Sequence, residues 1–199
     1  MIDERFVLVG VAVSAVAQIV YALATVRGDA HPNRVSFLLW ALAPMLAFAV
    51  EIDEGVGLRS LTTFMFGWGP LLILIVSLKR EAAPWHLGRL DYTCGAISLA
   101  GTAAWLVVQQ GTVAILAAVA ADALAGVPTF VKSWRAPDTE HWMMYAAATL
   151  NGGIAVLTVD HATVADLAFP LYVFVFGLAI TAVIVGNLGP RLALRTPVR

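Results

Sequence analysis

The chain has 199 residues, of which 60% are hydrophobic and 13% charged, with a formal net charge of −1 and a mean hydropathy of +0.85. Soluble domains carry about a quarter charged residues, so this composition excludes an ordinary soluble protein and predicts an all-α integral membrane protein. The single cysteine, Cys94, leaves no intrachain disulfide or cysteine metal cluster to consider.

Cutting the sequence at its charges leaves uncharged runs at residues 6–26, 35–50, 60–78, 92–121, 123–131, 141–159 and 167–190. About 20 apolar residues cross a bilayer as a helix. The first run follows Met1-Ile2-Asp3-Glu4-Arg5, which lacks the positive n-region of a cleaved signal peptide and reads as a retained first span. The second run is short and extends through Glu51 by snorkelling. Residues 60–78 form the third. Residues 92–131 carry only Asp122 and are too long for one span, and Gln109-Gln110-Gly111 supplies a polar turn that divides them into the fourth and fifth. The runs 141–159 and 167–190 complete seven transmembrane helices.

Basic residues orient the spans, because short cytoplasmic loops retain Lys and Arg. Arg27, Arg34, Lys79, Arg80, Arg89, Lys132, Arg135, Arg191, Arg195 and Arg199 fall on one side, and only Arg5 and Arg59 on the other, where Glu51, Asp53, Glu54, Asp160 and Asp166 collect. This places the N-terminus outside and the C-terminus inside a cytoplasmic (inner or plasma) membrane.

The chain also reads as duplicated. A constant offset of 105 pairs Arg27 with Lys132, Pro32 with Pro137, Asn33 with Asp138, Phe37 with Trp142 and Trp40 with Tyr145. A repeat of this length in a membrane protein points to a transporter-like fold. Within a single membrane domain, 1–199, the first three-helix repeat covers 5–80, a linker helix 90–110, and the second three-helix repeat 112–190. One linker crossing makes the two halves parallel, so the loops after the first and fifth spans share the cytoplasmic side.

The layout of three, one and three helices resembles the PQ-loop and SWEET-like superfamily. Pro128-Thr129-Phe130-Val131-Lys132 is similar to that family's Pro-Gln-x-x-Lys stretch, with Thr129 in the place of the signature glutamine; the first half has Leu23-Ala24-Thr25 at the corresponding place and no proline. The resemblance implies a solute pathway between two rocking halves. The family's substrate-binding asparagines lie on the third helix of each half, whereas Asn151 lies on the second.

Asp122 is the sharpest individual signal. It precedes Lys132 by ten residues, roughly 15 Å along a helix, which puts it near mid-membrane with no basic residue at its depth. Desolvation penalises the charged form of such a group, and intramembrane acids are functional by default. It is therefore a candidate proton carrier or ligand for a cationic substrate; the structural alternative is a protonated acid bonded to a neighbouring helix.

Ser14, Gln18, Tyr21 and Thr25 recur on one face of the first span, as do Asp122, Gly126, Thr129 and Ser133 on the fifth. Such stripes face inward, either lining a pathway or bonding helices together. Asn151-Gly152-Gly153 lies at about the depth of Asp122. Trp68 and Tyr172, on the third helices of the two halves, offer rings to sandwich a planar or sugar-like solute, although such aromatics also simply fill core space. Trp40 and Tyr145, a turn or two inside the basic loops, read as an interfacial aromatic belt in preference to a cytoplasmic gate, and Lys132 as a topology determinant. Pro44, Pro70, Pro128 and Pro170 lie within spans, where each removes a backbone hydrogen bond and supplies a candidate hinge.

Enzyme signatures are missing: His31, His86, His141 and His161 lie in loops or at helix ends, with no hydrolase or phosphate-binding motif. The last span carries no lysine for retinal. No metal, soluble cofactor or nucleic acid is indicated. The partners implied are the lipid bilayer and a small polar solute, and a homo-oligomer is left open. The expectation is a small polar-solute transporter working by alternating access, proton-coupled if Asp122 titrates in the cycle; the alternative is a non-transporting receptor or scaffold on the same fold.

Overall fold

The computed structural model describes residues 3–53, 55–79, 86–108, 111–159 and 162–194, and every regular element among them is helical. Seven long helices follow in order: α1 (Phe6–Arg27), α2 (Arg34–Asp53), α3 (Ser60–Lys79), α4 (Arg89–Val108), α5 (Gly111–Arg135), α6 (Trp142–Thr158) and α7 (Val164–Gly186), with a short α8 (Leu188–Ala193) after them. Met1, Ile2, Glu54, Arg80, the Gln109-Gln110 turn, Asp160, His161, Arg195 and Arg199 lie outside the described residues.

Five helical segments are long and apolar enough to cross a membrane: Phe6–Arg27, Arg34–Asp53, Gly57–Lys79, Ile115–Arg135 and Asp166–Gly186. The exterior agrees with a multi-pass membrane protein. On α1 the polar face is the buried one, with Ser14, Gln18, Tyr21 and Thr25 inside, while Val9, Val16, Ile19 and Val26 are exposed. That is the reverse of a helix on a soluble protein. α6 has 17 residues, about 25 Å at the standard rise. α4 carries Arg89, Asp91, Ser98 and Thr102 along its 20 residues.

Local chemistry sets the helix ends. Gly28 takes the left-handed conformation at φ 89°, closing α1 with its N–H on the Ala24 carbonyl at 3.0 Å. Asn33 then caps α2: its Oδ1 accepts from Val35 N at 3.1 Å and Ser36 N at 3.2 Å, while its Nδ2 donates to Asp91 at the start of α4. Thr163 Oγ1 accepts from Asp166 N at 3.2 Å to start α7.

Within the first three helices α3 packs on both α1 and α2, and within the last three α7 packs on both α5 and α6. Across the two sets α1 meets α6 and α2 meets α5, with α4 lying on α5 and α2. Exchanging α1, α2 and α3 for α5, α6 and α7 maps the principal contacts among these six helices onto one another, and α4 stands outside that symmetry. Trp40 and Tyr145, equivalent under the 105-residue offset, touch edge to face with centroids 6.5 Å apart. Both are buried in the core rather than in an aromatic belt at the lipid surface. The equivalence fails at other positions: Phe37 is fully buried, whereas Trp142 is 46% exposed.

One end of the bundle gathers the basic loops. His31 N donates to the Thr139 carbonyl at 2.9 Å, Asn33 to Asp91, and Arg34 to the Ser77 carbonyl. At the other end Thr63 donates to Glu51 at 2.9 Å, and Arg59 approaches Glu4 at the start of α1.

Candidate functional site

A cavity of about 80 Å³ lies between α2, α3, α5, α6 and α7. Asp122 supplies its carboxylate from α5, and Tyr172 on α7 donates its hydroxyl to Asp122 Oδ2 at 2.8 Å. The rest of the wall is aromatic or small: the rings of Trp40, Phe66, Tyr145, Phe169, Tyr172 and Phe176, with Met144, Ala148 and Gly177 between them. Trp40 Nε1 donates to the Asp122 carbonyl at 3.4 Å. Gly126, one turn beyond Asp122, makes this crowding feasible, because a Cβ there would lie 2.6 Å from Phe176 and 3.1 Å from Trp40.

A buried ion pair closes the basic end. Lys132 Nζ and Glu140 Oε1 are 2.8 Å apart, with both side chains at zero exposure. Tyr21 of α1 and Tyr145 of α6 both donate to Glu140 Oε2, at 2.6 and 2.8 Å. Lys132 also donates to the carbonyls of His31 and Thr139. Neither charge is left unpaired, which is the condition for keeping such a pair out of water. Tyr145 is shared: its ring lines the cavity while its hydroxyl holds the ion pair.

At the other end a wider recess of about 360 Å³ is lined by Glu51, Arg59, Thr63, Thr158 and Asp166. Phe66 and Phe169 line both this recess and the central cavity, and their rings meet edge to face with centroids 6.0 Å apart. They form the partition between the two spaces.

Among the residues singled out in the sequence, Asp122, Tyr172, Pro44 and Pro70 meet at the cavity. Gln18 does not reach it: its Nε2 donates to the Met65 carbonyl at 2.8 Å, in the space that Gly69 leaves by lacking a Cβ. Asn151 donates to Ser14 Oγ and to the Gly10 carbonyl, tying α6 to α1. Tyr21 belongs to the ion-pair network. Trp68 is 41% exposed and stacks on Phe64. Pro128 is buried inside α5 apart from the cavity, and Pro170 lines the recess. The polar stripe on α1 thus faces inward, and its members are bonded to neighbouring helices and to their own backbone.

Comparison with family models, with characterised proteins and with solved structures finds no match. The site is therefore read from its own geometry. That geometry adds three elements to the sequence reading: Glu140 as partner of Lys132, the Phe66–Phe169 partition, and Phe176 in the cavity wall. The pair had a signal, since Lys132 and Glu140 flank the loop between α5 and α6 with opposite charge. The two phenylalanines had none, being indistinguishable in sequence from lipid-facing aromatics.

Proposed function

We propose that the chain is a small polar-solute transporter working by alternating access, with the Asp122 cavity as its central site. It would span a cytoplasmic membrane seven times in a three-one-three arrangement similar to the PQ-loop and SWEET-like layout, N-terminus outside. α4 would be the linker crossing, α6 a short span, and the ion-pair end the cytoplasmic one. The matched contacts of α1–α3 and α5–α7, and the gathering of basic loops at one end, support that arrangement.

The observation carrying the functional reading is a carboxylate in a small cavity, with a bonded ion pair on one side and two phenyl rings packed edge to face on the other. This is the layout of a central site between two separate closures. Rocking of the halves would break one closure while the other holds. Pro44 and Pro70, at the cavity wall, lie where α2 and α3 lack a backbone hydrogen bond and bend most easily.

The test is flux in proteoliposomes for a panel of radiolabelled sugars, amino acids and amines. Uptake of at least one solute is expected in the wild type, with Asp122→Asn reducing it at least tenfold or removing its pH dependence. Unchanged pH-dependent uptake in Asp122→Asn would remove the proton-carrier role. One observation favours the scaffold reading: the Tyr172–Asp122 bond ties α7 to α5. Under that reading no solute moves and Tyr172→Phe lowers thermal stability without any transport phenotype.

A further inference from the structure

The wall of the central cavity is chemically one-sided. Its side-chain hydrogen-bond donors are Trp40, Tyr145 and Tyr172, and all three are committed: to the Asp122 carbonyl, to Glu140 and to the Asp122 carboxylate. No Lys, Arg or His occurs among the described lining residues. A solute therefore meets one acid and several ring faces, and no donor is left for its own acceptors. A sugar would bury hydroxyl oxygens without partners, each at the full desolvation cost of that group. An anion or the carboxylate of an amino acid would find no countercharge. A cation gains from both components, since aromatic faces attract positive charge within about 6 Å of the ring centroid and the carboxylate supplies the opposite charge.

Deepening the transporter reading and resting on it for the cycle, we propose that the cavity takes a small organic monocation, an ammonium without a carboxylate, in competition with a proton for Asp122. One carboxylate in an apolar wall accommodates one positive charge, so proton and cation occupy it alternately. In a transport cycle this gives exchange of one for the other. The groups around Asp122 permit this. α7 presents Tyr172, whose hydroxyl stays on Oδ2 and leaves the carboxylate's remaining lone pairs to the incoming charge; α6 presents Tyr145, already bound to Glu140; α2 and α3 contribute Trp40, Pro44, Phe66 and Pro70. From α4, Ser98 donates to the Ala121 carbonyl at 2.6 Å, beside Asp122 on the backbone of α5.

The experiment is calorimetric titration of the purified full chain in detergent with tetramethylammonium chloride, and with tert-butanol as a neutral molecule of similar size. Tetramethylammonium is expected to bind with release of one proton, its affinity falling about tenfold per pH unit below the titration of Asp122, and tert-butanol to bind at least tenfold more weakly. Asp122→Asn should lose both binding and proton release. Asp122→Glu should retain them, and Phe176→Leu should weaken the cation while leaving proton release intact, so the test survives if one variant misfolds. Absence of tetramethylammonium binding, equal binding of tert-butanol, or full binding by folded Asp122→Asn overturns the proposal. Proteoliposomes separate this failure from that of the transporter reading. If neutral solutes move while tetramethylammonium neither binds nor exchanges, the cation site falls and transport stands. If tetramethylammonium binds competitively with protons but nothing crosses, the cation site stands and transport falls.

Discussion

Glu140→Leu is expected to destabilise the protein by about 3–5 kcal/mol, because it leaves the Lys132 ammonium in a fully buried position without its countercharge. The two tyrosine hydroxyls that converge on Glu140 Oε2 lose their acceptor in the same step. Lys132 keeps the carbonyls of His31 and Thr139, which lessens the loss without neutralising the charge. Removing both charges in Lys132→Met with Glu140→Leu should recover most of the stability, since an apolar pair avoids the desolvation of two ions. Unfolding in detergent, followed by tryptophan fluorescence, checks this. A double variant no more stable than Glu140→Leu alone would mean that the pair is not coupled.

A second large effect is expected at the contact between α6 and α7. A Cβ on Gly152 would lie 2.7 Å from Phe174 N and 2.9 Å from the Pro170 carbonyl oxygen. These are backbone atoms and cannot rotate away. Gly152→Val should therefore push the helices apart and cost at least about 1–3 kcal/mol. Gly153→Val provides the contrast, because there a Cβ would meet only the Phe174 ring at 3.5 Å, an ordinary contact. Melting temperatures of the two variants in one detergent decide the matter: a drop confined to Gly152→Val is expected, and equal drops would place the cause in helix propensity rather than in close packing.

The helical membrane character was legible because burial in lipid leaves long uncharged runs, and helices α1, α2, α3, α5 and α7 fall where those runs lie. Asp122 was legible because a lone acid in an apolar helix stands out at any register, and Tyr172 because its ring lies on the third helix of the proposed second half. The neighbours of Gln18 and Asn151 were not legible. Their amides bond across helices to Met65 and Ser14, partners set by which helices pack together rather than by sequence spacing. α3 and α7 each pack between the other two helices of their set, and the cavity wall is drawn from α2, α3, α5, α6 and α7, so the polar stripe of α1 does not reach it. Lys132 read as a topology determinant because its partner Glu140 is itself held by Tyr21, 119 positions away, a contact that no local pattern encodes.

Access to the cavity can be read chemically. Ala148 lines it and Cys94 is the sole native cysteine, so Ala148→Cys on a Cys94→Ala background places one thiol in the site. An impermeant maleimide is then applied to right-side-out and inside-out membrane vesicles. An alternating-access transporter is labelled at this position from both sides, with labelling slowed by a bound solute. Labelling from one side alone, or from neither, would contradict a cavity that opens alternately to the two faces of the membrane.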